Sequence, residues 1–103
     1  MAEVVKSNEF QGKINKGIVV VDFFATWCQP CSMLAPIFDE LGQEMKGKAE
    51  FIKINVDDSM DVATKYEIMT IPAVLVFKDG EVQERMVGFL PKGEIKQKVE
   101  QYL

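Results

Sequence analysis

An apolar stretch, Ile18-Val19-Val20-Val21-Asp22-Phe23-Phe24, runs almost directly into Trp27-Cys28-Gln29-Pro30-Cys31. The stretch is rich in β-branched and aromatic residues and apolar on both alternating faces, the pattern of a central strand covered on both sides. Beyond the cysteines, Leu34, Ile37, Phe38, Leu41 and Met45 recur at helical spacing, with Asp39, Glu40, Gln43 and Glu44 filling the other face. A strand therefore delivers two thiols, the only cysteines in the chain, to the start of a helix.

The rest of the chain supplies cover for that strand. Val4-Val5 reads as a short first strand. Asn8 with Gln11 has the spacing of a capping box for a short helix through Ile14, which Asn15-Lys16-Gly17 ends. Pro36 lacks an N–H for the Ser32 carbonyl and predicts a kink in the long helix, and Gly47 is its expected stop. Phe51 to Val56 alternates, with Ile52, Ile54 and Val56 on one face and Lys53 on the other. Asp57, Asp58 and Ser59 offer caps for a third helix carrying Val62, Ala63 and Tyr66. Ala73 to Phe77 is a second buried-looking strand, Lys78-Asp79-Gly80-Glu81 a hairpin turn, and Val82 to Val87 an exposed edge strand. Pro91 suits the first turn of a final helix with Ile95, Val99 and Tyr102 as its apolar stripe and a Glu94–Lys98 pair on its surface. The order β-α-β-α-β-α-β-β-α predicts an α/β fold: a central mixed sheet of about five strands flanked on both faces by about four helices.

Size and charge bound the function. At 103 residues, positions 1–103 read as one domain with a single core, and no repeat or linker divides them. The net charge is −4 and the 12 basic residues form no patch, which speaks against nucleic acid as a partner. No run approaches the roughly 18 apolar residues of a membrane span, so no membrane association is expected. Met1 to Lys6 lacks the basic-then-apolar pattern of a secretory signal, which gives a cytoplasmic expectation. A mature exported protein would look the same.

Two thiols at a helix start suit thiol–disulfide exchange. The thiolate is the nucleophile, and the N–H groups and dipole at the amino end of a helix favour it. The three-residue offset lets the second sulfur reach the first and release a bound partner. Other readings compete. A structural zinc site needs about four ligands; with two cysteines and no histidine, one molecule lacks them unless carboxylates join or a dimer shares the site. A purely structural disulfide would close too short a loop to stabilise much. Unpaired core cysteines are common, but seldom at a strand-to-helix junction with tryptophan and proline. Redox chemistry is the expectation for this spacing beside a β-α-β pattern.

The chain resembles the thioredoxin family over nearly its whole length. The likeness rests on Asp22-Phe23-Phe24-Ala25, on Trp27-Cys28-Gln29-Pro30-Cys31 and on Ala35-Pro36. It continues through Lys53-Ile54-Asn55-Val56-Asp57, Thr70-Ile71-Pro72, Phe77-Lys78-Asp79-Gly80 and Val87-Gly88. It departs from the family at Gln29, where thioredoxins usually have glycine, one of two intervening residues that tune the redox potential.

The resemblance implies the thioredoxin fold and a protein-disulfide reductase that needs no bound cofactor, because the cysteines carry the electrons. Cys28 resembles the attacking cysteine, exposed at the helix start, and Cys31 the buried resolving one. Pro30 resembles the proline that helps keep the pair reducing. Asp22, a carboxylate inside a buried strand, should have a raised pKa; by resemblance it takes the proton from Cys31. A strand-end aspartate reaching solvent is the alternative. Lys53 resembles the lysine that tunes this aspartate, or is simply a solvated lysine with a buried stem. Pro72 resembles the family's cis-proline. Thr70, Ile71, Pro72, Val87, Gly88 and Phe89, with Trp27, would line a docking surface for an extended substrate. Trp27 reads equally as a core aromatic, and Gly88 as relief of backbone crowding. The implied partners are a thioredoxin reductase and disulfide-containing target proteins, with the chain a monomer. An oxidant or isomerase on the same fold, or a non-enzymatic binding subunit, would be the rival roles.

Overall fold

The run Ile18–Phe24 forms a strand, β2, at the centre of a five-stranded sheet. This is a computed structural model, and it describes residues 2–103; Met1, the first residue of the leader reading above, lies outside the described residues. The elements are β1 (Glu3–Val4), α1 (Ser7–Ile14), β2 (Ile18–Phe24), α2 (Gln29–Glu44), β3 (Glu50–Asn55), α3 (Met60–Lys65), β4 (Ala73–Lys78), β5 (Glu81–Val87) and α4 (Lys92–Glu100). The order across the sheet is β1-β3-β2-β4-β5. β1, β3 and β2 run parallel, and β4 and β5 are antiparallel to their neighbours. This is the expected mixed α/β sheet with the expected element order, and it is consistent with the thioredoxin fold.

Strand alternation divides the core into two layers. Val19, Val21 and Phe23 of β2 point one way with Ile52, Ile54, Leu75 and Phe77, and pack under Phe10 and Ile14 of α1 and Val62 of α3. Val20 points the other way with Phe51, Val74 and Val76, under Leu34, Phe38 and Leu41 of α2 and Ile95 and Val99 of α4. A period of two on the strands and 3.6 on the helices is sufficient for this arrangement. Asp22 lies on the α2 side by the same parity, two residues beyond Val20.

Local signals hold with some corrections. α1 starts at Ser7, and its box is closed by Glu9, whose Oε1 accepts the Lys6 backbone N–H at 2.9 Å; the Asn8–Gln11 pair has no part in it. Lys6 has no side-chain acceptor to return the bond, so the carboxylate alone satisfies this helix end. Pro36 lies within α2 without breaking it, and α2 ends at Glu44, ahead of Gly47. Asp79 and Gly80 both have positive φ, 49° and 88°, the twist-matched turn for a hairpin. Pro91 caps α4 from outside. On its surface Lys98 faces Glu84 of β5 at 3.8 Å instead of Glu94. Lys92 pairs with Glu40 and Glu44 of α2. These partly exposed pairs orient α4 and add little stability.

Candidate active site

β2 ends at Phe24, and the chain turns through 25–27 to reach α2. Cys28 is the N-cap of that helix: its backbone is extended (φ −92°, ψ 113°), and its Sγ accepts the Cys31 backbone N–H at 3.3 Å. An N-cap side chain normally satisfies one of the unpaired N–H groups at a helix start; here sulfur takes the place of oxygen. Gln29 is the first helical residue and Pro30 the second, where a missing N–H costs nothing. Cys28 and Cys31 form a disulfide with their Cα atoms 5.2 Å apart. Ala25, Phe24, Val56 and Ile71 pack around it.

The expected contrast between an exposed Cys28 and a buried Cys31 is absent in this oxidised state, since they are 5% and 4% exposed. What separates them is the hydrogen bond: the helix-end donor is aimed at Cys28 Sγ. The Ile71 carbonyl oxygen also lies 3.9 Å from that sulfur. Among the described residues, no group of histidine, cysteine and carboxylate side chains is arranged to hold a metal ion.

Trp27 is not a core aromatic. It is 71% exposed, and its Nε1–H donates to Asp57 Oδ2 at 2.7 Å. Asp57 and Asp58 do not cap α3. Their backbone N–H groups donate to Asn55 Oδ1 at 2.9 and 3.4 Å, a turn that frees the Asp57 carboxylate for the indole. Ser59 stands at the N-cap position but makes no side-chain cap bond. The Trp27–Asp57 contact was missed in the sequence because its partners lie 30 residues apart; Asn before Asp-Asp at a strand end was the available signal for the turn.

Asp22 is completely buried, so the solvent-reaching alternative fails. Neither carboxyl oxygen has a hydrogen-bond partner among the described residues. Burial pushes its pKa up to about 7, the Lys53 ammonium opposes that rise, and the Asp39 carboxylate on α2 adds to it. Lys53 is the register partner of Asp22 on β3 and is half-buried, so it is neither free in solvent nor paired with the carboxyl. Its Nζ sits 4.7 Å from the centroid of the Phe24 ring.

The Ile71–Pro72 bond is cis. The Pro72 carbonyl accepts the Gly88 N–H at 2.8 Å, and Ala73 pairs with Val87, so the segments around positions 70–72 and 87–88 lie side by side. Ile71 packs against the disulfide. Thr70 is exposed, as are Val87 and Phe89, at 58% and 40%. Gly88 has φ +87°, and a Cβ there would meet nothing within 4 Å. Its glycine therefore serves the backbone conformation and does not relieve crowding. Gly88→Ala is expected to cost about 1 kcal/mol, read as a lowered urea midpoint, and to loosen the bond to Pro72.

Comparison with known proteins gives the arrangement its context. A family model described as Thioredoxin matches residues 1–101. The thioredoxin of Staphylococcus epidermidis is 44% identical over 99 residues, which cover 96% of this chain and 95% of that protein. The thioredoxin of Staphylococcus aureus (strain Mu50) is 42% identical over 99 residues, with the same coverage. The likeness spans both sequences almost end to end, strands and helices as well as the cysteine motif, and on that ground the chain belongs to the thioredoxin family.

Proposed function

We propose that the protein reduces disulfide bonds in other proteins, with Cys28 as nucleophile and Cys31 as resolving thiol. The thiol–disulfide oxidoreductase class follows from family membership; the residue roles are our reading. The observation that carries them is the Cys31 N–H donated to Cys28 Sγ at the start of a 16-residue helix. A donor and a positive dipole end stabilise negative charge on that sulfur, which selects Cys28 as the thiolate in the reduced protein.

The Cys28 thiolate attacks one sulfur of a target disulfide. A bond forms between Cys28 and that sulfur, and the other target sulfur leaves as a thiolate and takes up a proton. Asp22 then accepts the proton of Cys31. A carboxyl that titrates near neutrality is suited to this, being largely able to take a proton and to give it back. The Cys31 thiolate attacks Cys28 Sγ, and the second target sulfur departs. Two electrons have moved to the target, and Cys28–Cys31 is a disulfide, the state described above. No bound cofactor enters these steps. A thioredoxin reductase restores the dithiol.

Targets dock as extended segments across Trp27, Thr70, Ile71, Pro72, Val87, Gly88 and Phe89: Trp27, Val87 and Phe89 present exposed apolar side chains, Ile71 packs against the disulfide, and Pro72 is buried beneath and contributes through its backbone. Gln29 and Pro30 at the first turn set the potential, and Lys53 tunes Asp22. The protein acts as a monomer in the cytoplasm, away from nucleic acid and membranes. Its acidic net charge fits this reading, and among the described residues no helix is long and apolar enough to cross a membrane.

Cys31→Ser tests the division of labour. The variant should accumulate mixed disulfides with targets through Cys28, seen as thiol-sensitive adducts on non-reducing gels. An absence of adducts, or adducts through another residue, would refute the assigned roles.

A further inference from the structure

Asp22 has a cation beside it and does not bond it. Strand parity places Val20, Asp22 and Phe24 on the α2 side of β2, and Phe51 and Lys53 on the same side of β3. Asp22 and Lys53 are directly opposite in the parallel register, and Phe24 is the next residue along on that face. The Lys53 side chain therefore has a carboxyl and a ring within reach, and its ammonium lies over the ring, 4.7 Å from the centroid. Among the described residues neither Asp22 oxygen has a hydrogen-bond partner.

The position of that ammonium matters to any proton passing through Asp22. Paired directly with Lys53, the carboxyl would be held ionised and would return a proton poorly. With the ammonium extended into water, burial and the Asp39 carboxylate would govern it unopposed, and it would take up a proton and keep it. We propose that Phe24 is a positioning residue for the thiol chemistry: its ring holds the Lys53 ammonium near Asp22 but off it, so that the carboxyl feels the charge without being paired. A ring face attracts an ammonium through its quadrupole and asks for no hydrogen bond, so it competes with water without competing for the proton. The charged groups that bear on Asp22 are Lys53 from β3 and Asp39 from α2; β4 presents apolar Val74 opposite it. Asp39 is itself fixed by the Ala2 N–H at 2.9 Å, which leaves Lys53 as the long side chain with freedom to move.

The consequence for catalysis rests on Asp22 as the proton acceptor, while the positioning itself is read without any turnover. Phe24 also packs against the cysteine pair and accepts the Val56 N–H through its carbonyl, so a merely structural role has to be separated from the proposed one. Carboxyl NMR of the oxidised protein, labelled at aspartate, gives the Asp22 titration directly. Phe24→Leu should raise its midpoint by about half a unit or more, because the released ammonium extends to water. Phe24→Trp, which keeps a ring face, should restore the wild-type midpoint. Lys53→Met should raise it at least as far as Phe24→Leu does, and adding Phe24→Leu to Lys53→Met should move it no further.

The proposal is overturned if Phe24→Leu leaves the midpoint in place or lowers it. It is overturned equally if Phe24→Trp behaves as Phe24→Leu, if Lys53→Met has no effect, or if the Phe24→Leu shift is the same with and without Lys53. The pH profile of mixed-disulfide resolution in Phe24→Leu then separates the two readings. If the titration moves as expected and the profile does not follow, Asp22 is not the proton acceptor and the positioning by Phe24 stands.

Discussion

Asp22→Asn should stabilise the folded protein by about 4 kcal/mol at pH 8 and by little below pH 4. The carboxyl titrates at 3.8 when unfolded and at about 7 when folded, because burial disfavours its charged form. The folded state therefore binds the proton more tightly than the unfolded chain does. Stability is fullest below the unfolded value, falls as pH rises through the interval from about 4 to about 7, and is lowest above it. About three units at roughly 1.4 kcal/mol each give the figure. Asparagine matches the shape without the charge, so the penalty disappears and the pH dependence over that interval flattens. Urea unfolding at pH 4, 6 and 8 checks both. A gain of the same size at every pH would show that something other than the charge was relieved. The same variant should slow resolution of a mixed disulfide more than its formation, since only the second step needs the proton of Cys31 removed. Rapid-mixing kinetics that slow both steps equally would count against the proton-transfer role.

The sheet and its two covers were legible because the sequence writes them in short-range period. All of β2 but Asp22 is apolar, on both faces, and the helix after the cysteines keeps one stripe from Leu34 to Met45 for about three turns. The cysteine site was legible for the same reason: strand, thiols and helix are contiguous. The illegible parts depend on which strands become neighbours. The resemblance set Lys53 near Asp22, but periodicity within each strand did not, and only the register of β2 against β3 puts them directly opposite. Register also puts Phe24 within reach of the ammonium, although nothing about a phenylalanine at a strand end announces it. Trp27 read as core or surface with equal ease until Asp57, just past the end of the neighbouring strand β3, took its N–H. The surface pair Glu94–Lys98 failed because β5 offered Lys98 a carboxylate that helical spacing alone does not reveal. The assigned cap of α1 failed at closer range. Asn8 and Gln11 have the required side chains, but the helix begins before them, and Glu9 serves the first free donor.

Cys28→Ser should lower protein-disulfide reduction roughly a thousandfold or more while leaving the fold intact. A serine hydroxyl at the same N-cap accepts the Cys31 N–H as well as sulfur does, so α2 keeps its start. It does not ionise at neutral pH, however, and the thiolate is the group that attacks. Cys31 is a poor substitute. It lies within the first turn, and the hydrogen bond between the two residues runs from its own N–H toward position 28. Among the described residues no helix-end donor is aimed at the Cys31 sulfur, so its thiolate lacks the stabilisation that Cys28 has. The serine variant should therefore fail at attack, with no mixed disulfide formed, whereas Cys31→Ser fails at resolution with the mixed disulfide retained. Reduction of a disulfide-bonded protein with dithiothreitol as electron source, with adducts followed by mass spectrometry, separates the two. Undiminished reduction by Cys28→Ser would remove the redox mechanism altogether. Adducts formed through Cys31 would reverse the order of the two thiols and leave the donor at Cys28 Sγ as a cap with no part in selecting the nucleophile.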